Sequence, residues 1–150
     1  MRDFNSRRVL FDTNVLLDAV VSTRPEHREA QLALRHCNGG GDIGLASPGS
    51  LKDAYYLLTK QFDEPSSRTA IKYLLDLLVV LPFDGEGCLI AAESNEPDFE
   101  DGMIRATAEL SDVSFILTRD KAAFNNSTVR KLTCREYLDV VESERRARVL

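Results

Sequence analysis

An α/β fold, with a central, mostly parallel sheet layered between helices on both faces, is predicted for this chain by two observations. Short β-branched or aromatic runs alternate with longer amphipathic ones, and each short run is bounded by turn or cap residues. Strands alternating with helices favour parallel pairing, and right-handed crossovers leave few topologies. With 150 residues, 43% of them hydrophobic, the chain suits one core, and 1–150 reads as a single domain without repeat, linker or low-complexity segment.

The elements follow in order. Arg8–Phe11 is the first strand candidate, and its run Val9-Leu10-Phe11 leads into Asp12, Thr13 and Asn14, good N-cap residues before Val15-Leu16-Leu17. Pro25–Cys37 reads as a helix stopped by Asn38-Gly39-Gly40-Gly41. A second strand, Asp42–Ala46, precedes a helix over Ser50–Gln61, with Leu51, Ala54, Tyr55 and Leu58 at helical spacing. Ser66–Leu78 is helical with an apolar side, and Val79–Phe83 is the third strand. Helices over Gly85–Ser94 and Asp98–Leu110 lead to a fourth strand, Ser114–Thr118. A short helix is expected after Asp120, then a weaker strand at Val129–Thr133 and a last helix at Arg135–Glu142, with about 143–150 a frayed charged tail.

Composition removes several classes. No apolar run reaches membrane-spanning length, since LLDLLVVLPF is broken by Asp76 and Pro82. The first twelve residues lack a signal-peptide core, and Cys37, Cys88 and Cys134 are too few and too dispersed for a disulfide framework or a zinc site. A cytoplasmic protein with no membrane partner is expected. His27 and His36 read as helix-surface residues. The net charge of −5 excludes a broad basic surface, but not a nuclease whose acids surround a cation.

Five acids stand at element boundaries: Asp12, Asp53, Asp98, Asp101 and Asp120. Each has a local reading. Asp12 and Asp98 suit N-caps, Ser50-Leu51-Lys52-Asp53 resembles a capping box in a helix's first turn, and Asp120 can cap a short helix. Asp101, three residues after Asp98, completes that cap or shares its face at the helix entrance. In a parallel sheet, strand C-termini and the following helix N-termini lie on one edge. Acids gathered there without matching cations repel one another, and oxygen-ligated Mg²⁺ or Mn²⁺ relieves that repulsion.

The motifs FDTNVLLDA, SPGSLKDAYYLL, DFEDGMIRATAEL and FILTRDKAAF, closed by KLTCREYL, resemble in order and spacing the PIN-domain ribonucleases, the VapC-like toxins among them. The resemblance covers nearly the whole chain and implies a three-layer PIN-like fold. It implies that Asp12, Asp53, Asp101 and Asp120 are the catalytic and metal-binding acids, with Asp98 an accessory acid or cap and with Asn14 and Thr118 orienting carboxylates. Many members have Glu where this chain has Asp53, one methylene shorter, which puts direct metal contact by Asp53 in question. The implied activity is Mg²⁺- or Mn²⁺-dependent hydrolysis of RNA, single-stranded or structured, to 5′-phosphate and 3′-hydroxyl ends. The implied partners are an antitoxin protein and a second copy in a homodimer. Lys52, Arg105, Arg119 and Lys121 could touch the RNA backbone and Tyr55 or Tyr56 could stack a base, although solvated charges and core packing are the plainer readings.

Three rivals remain. A haloacid-dehalogenase-type phosphatase needs a second Asp where Asn14 stands, and a receiver domain needs an acidic pair and a mid-sheet acceptor that LFDTN and GLASP do not supply. A catalytically silent PIN-fold module for protein or RNA binding would usually have lost acids that this chain keeps.

Overall fold

The computed structural model describes residues 6–149. Five parallel strands form one sheet: β1 (Arg8–Phe11), β2 (Ile43–Ala46), β3 (Val79–Val80), β4 (Phe115–Leu117) and β5 (Arg130–Leu132), in the order β3-β2-β1-β4-β5. Seven helices connect them: α1 (Thr13–Val20), α2 (His27–Asn38), α3 (Pro48–Thr59), α4 (Glu64–Leu77), α5 (Gly85–Glu93), α6 (Phe99–Leu110) and α7 (Cys134–Val149). The expected α/β class and parallel sheet are present.

Strand alternation builds the layers. Val9 and Phe11 of β1, with Phe115 and Leu117 of β4, face a core closed by α1, α2, α4 and α7, where Leu16, Leu34, Leu74 and Tyr137 are buried. Leu10, Leu45 and Ile116 point the other way, against Ile104 and Ala108 of α6 and the loop residues Ala123 and Phe124. A side pocket of core, Leu17 and Val21 with Ala54 and Leu58, joins α1 to α3. Helices α5 and α6 approach so closely that a Cβ on Gly102 would lie 2.6 Å from the Ala91 carbonyl oxygen.

Four expectations need correction. Helix α3 starts at Pro48 with Ser47 as N-cap, its hydroxyl accepting from Ser50 N–H at 3.1 Å. Proline at the first helical position needs no N–H, so the helix begins earlier than Ser50. No helix follows Asp120; turns run to β5. The tail expected to fray is helical, because α7 continues through residues 143–149, with Arg146 pairing Glu142 one turn back at 3.3 Å. Tyr55 is not core: it is half-buried and its hydroxyl engages Glu64, while Tyr56 is exposed beside Lys60.

Candidate active site at the carboxyl edge of the sheet

Register places the first acid. Phe11 pairs with Leu117, so the next residues, Asp12 and Thr118, leave the sheet side by side. Asp12 N–H donates to the Leu117 carbonyl at 3.0 Å, continuing the ladder by one bond. Its side chain then caps α1, Oδ1 accepting from Thr13 N–H at 2.7 Å, while Oδ2 accepts from the Thr118 hydroxyl at 2.8 Å. The cap reading and the site reading therefore fall on one carboxylate, only 6% exposed. Burial raises its pKa, Thr118 and Thr13 oppose the rise, and the charges of Asp120 and Asp98 add to it.

Thr118 passes the constraint on. Its hydroxyl oxygen accepts from Asp120 N–H at 3.1 Å, so one side chain couples Asp12 to the backbone of Asp120. In place of a helix, Asp120 caps a turn, with Oδ1 accepting from Ala122 N–H at 2.8 Å and Ala123 N–H at 3.2 Å. The third acid comes from α6. Asp98 is its N-cap, accepting from Asp101 N–H at 2.8 Å, and this turns Asp101 into the first turn. The Asp101 carboxyl is half-buried and makes no hydrogen bond among the described residues. It is pushed up to about 7, by burial first and then by the charges of Asp98, Asp120, Asp12 and Glu96.

Asp53 enters from α3, and Glu100 feels its charge together with those of Asp98 and Asp12. With α3 beginning at Pro48, Asp53 lies in the second turn, beyond capping reach, so the capping-box reading fails. It lines a small cleft with Glu100 and Met103, and its charge is the first cause of a raised Glu100 pKa. Sequence reasoning passed over Glu100, although it sits inside the DFED motif. Asn14 is exposed and makes no hydrogen bond to these acids among the described residues, whereas the Thr118 hydroxyl donates to Asp12.

Two of the four cations suggested for RNA are already engaged. Arg119 forks onto Asp18 at 2.7 and 3.1 Å, and Arg105 pairs with Glu96 at 3.2 Å and Glu109 at 3.0 Å. Lys121 and Lys52 are exposed, Lys52 lying 4.0 Å from Asp53. Three residues bracing the segment from Arg119 to Phe124 also escaped sequence reasoning. Glu96, its side chain 2% exposed, accepts from Phe124 N–H at 2.7 Å and holds that residue at a left-handed φ of 65°. Lys131 donates to the carbonyls of Asp120, Lys121 and Ala123 at 2.7–3.1 Å. Asp18 is a carboxylate in the apolar run Val15-Leu16-Leu17-Asp18-Ala19, and that break was its signal.

The donors fit a hard cation in kind. All are carboxylate oxygens, and Asp12 and Asp101 have pKa values raised by burial first and then by neighbouring acids, both of which a positive ion would offset. Among the described residues no group of three or more His, Cys, Asp or Glu is already arranged to hold a metal ion.

Comparison with known proteins follows the same lines. The PIN domain family profile matches residues 8–122. Ribonuclease VapC1 of Aquifex aeolicus (strain VF5) is 26% identical over 140 residues, which cover 90% of this chain and 96% of that protein. In fold, the chain is similar to PAE2754 from Pyrobaculum aerophilum, with TM-score 0.65 and 15% identity over 94% of this chain and 99% of that one. It is also similar to VapBC2 from Rickettsia felis bound to a DNA fragment from their promoter, with TM-score 0.62 and 14% identity over 84% of this chain and 98% of that one.

Proposed function

The chain belongs to the PIN-domain family, and from that premise we propose that it is an Mg²⁺- or Mn²⁺-dependent endoribonuclease acting as the toxin of a toxin–antitoxin pair. The observation that carries the reading is the coupling of Asp12, Asp98, Asp101 and Asp120 at the carboxyl edge, with Asp12 oriented by Thr118. A purely structural cap would not need Asp101, a half-buried acid with no donor to answer it among the described residues. Asp12, Asp101 and Asp120 would hold the ion, with Asp53 and Asp98 at the margin. A bound divalent cation polarises a phosphoryl oxygen and lowers the pKa of water towards neutrality.

The chain's own groups supply the rest. Thr13 N–H and the Thr118 hydroxyl fix both Asp12 oxygens in direction, each leaving a lone pair free for a further partner. The Asp101 carboxyl, pushed up to about 7 in the metal-free protein, would release its proton near neutral pH as a cation binds. Exposed Lys121 is the cation best placed to meet a phosphate, because Arg119 and Arg105 are occupied. The antitoxin rests on the likeness to VapBC2, and a homodimer in the cytoplasm on the family resemblance.

The test is cleavage of a labelled RNA by purified protein in EDTA, Mg²⁺ and Mn²⁺, beside Asp12→Asn. Cleavage that needs the metal and vanishes in the variant is expected. Equal cleavage by both proteins, or none by wild type in either metal, would overturn the nuclease reading in favour of a silent PIN-fold module.

A further inference from the structure

Asp18 is a buried charge that the proposed chemistry leaves unused. It is 1% exposed, on the core side of α1. Arg119 Nε donates to its Oδ2 at 2.7 Å and Arg119 Nη2 to its Oδ1 at 3.1 Å, a two-pronged pair of fixed geometry. Arg24 reaches the same carboxylate at 3.2 Å, and Glu26 lies 4.0 Å from Arg119 Nε. Arg119 stands between Thr118, which holds Asp12, and Asp120. We infer that Asp18, acting through Arg119, is a positioning residue that sets Asp120 against Asp12; the inference rests on the nuclease reading above.

Two ties do what one cannot. Backbone bonds fix the strand itself, Asp12 N–H donating to the Leu117 carbonyl at 3.0 Å and Thr118 N–H to the Leu132 carbonyl at 2.9 Å. Beyond Leu117 the chain leaves the sheet, and Thr118 ties it to the residue before α1. Asp18 lies six residues further on, roughly 9 Å along the helix axis, and a second tie at that distance fixes the direction in which the chain departs. Lys131 and Glu96 brace the same loop, but from β5 and from the segment before α6. Among the described residues, Thr118 and Arg119 make the only side-chain hydrogen bonds between this loop and the Asp12–α1 segment. A fork is needed for this, so lysine should not replace arginine.

The test compares wild type, Arg119→Gln, Arg119→Lys and, as a control, Arg24→Gln. Arg24 still pairs with Asp18 when Arg119 is changed; the double variant D18N/R119Q, which removes both charges of the fork together, serves if a single variant fails to fold. Mn²⁺ affinity is read by electron paramagnetic resonance, RNA cleavage gives kcat and KM, and ¹⁵N relaxation of the metal-free proteins reports the Asp120 amide. Both Arg119 variants should bind Mn²⁺ at least about tenfold more weakly and lose kcat in proportion, with KM unchanged. Their Asp120 amide should fall from the rigid range, about 0.85, to below about 0.6, while Arg24→Gln matches wild type. An Asp120 amide that stays rigid in both Arg119 variants overturns the proposal whatever happens to cleavage. So does a loss confined to KM and restored by lysine, which would make Arg119 an RNA contact. If wild type neither binds Mn²⁺ nor cleaves RNA, the nuclease reading falls, and the relaxation measurement still decides whether Arg119 holds the loop to α1.

Discussion

Asp101→Asn probes an acid whose carboxyl meets no hydrogen-bond donor among the described residues, and pH separates its two effects. With its carboxyl pushed up to about 7, Asp101 is roughly half ionised at neutrality, on the order of one-tenth at pH 6 and nine-tenths at pH 8. A cation takes the ionised form, so its binding displaces the proton and apparent Mn²⁺ affinity should strengthen roughly tenfold between those values. Stability of the metal-free protein runs the opposite way. A carboxyl whose folded pKa lies above its ordinary value of 3.8 contributes stability below about pH 4, and that contribution is lost as pH rises through about 7. Taken whole, the rise corresponds to roughly 4 kcal/mol. Water screens a carboxyl that is only half-buried, which brings the figure to about 1 kcal/mol. Asp101→Asn should therefore match wild type at about pH 4 and exceed its stability by about 1 kcal/mol at about pH 8, while losing both the metal affinity and its slope. Urea unfolding in EDTA and calorimetric Mn²⁺ titration at both ends of the range measure these quantities. A wild-type affinity that is flat with pH, or a variant that keeps the wild-type slope, would refute the reasoning.

The other predictions are briefer. Asp12→Asn should abolish metal-dependent cleavage yet fold, and its metal-free melting temperature should not fall, since a buried charge among like charges is removed. Asp53→Asn should leave stability within about 0.5 kcal/mol, because no cap is lost, and reduce cleavage; wild-type turnover would place Asp53 outside the site. Tyr137→Phe removes the hydroxyl that donates to Asp42 at 2.6 Å and should cost about 1–3 kcal/mol in urea unfolding, with cleavage unchanged. Burial alone would raise the Asp42 carboxyl, but Tyr137 and Arg7 hold it below its usual range, so the stability it contributes is present above the unfolded value and lost in acid, and the Tyr137→Phe cost should shrink there. Gly102→Ala should destabilise by about 1–3 kcal/mol, because the new methyl meets the Ala91 carbonyl.

Much of this architecture was legible because the same residues signal at several levels. Val9-Leu10-Phe11 reads as a strand from composition, alternates faces in the sheet, and delivers Asp12 to the edge where caps and active sites coincide. Asp98 was readable as a cap because its partner is three residues away. What escaped notice depends on distant partners. Asp18 and Arg119 are 101 residues apart, and nothing near either position announces the other. The absent helix after Asp120 has a similar cause: Lys131 takes up the carbonyls of residues 120, 121 and 123, which a helix would have used for itself. At α3 a purely local rule was missed, since Ser47-Pro48 is a stronger helix start than Ser50, and that misplacement gave Asp53 a capping role it does not have.

The strand order β3-β2-β1-β4-β5 bears on when the site can exist during synthesis. After β1 the chain builds outward on one side through β2 and β3, and only then returns to lay β4 on the other flank. Asp12 waits 106 residues for the hydroxyl of Thr118. A nascent chain that has completed half the sheet has folded neighbours for β1 on one side only, and its first acid is a lone helix cap. Contacts so far apart in sequence close late. A chain that cleaves RNA would thus be inert along most of its length while still attached to the ribosome, and would acquire its chemistry only once β4 is emplaced.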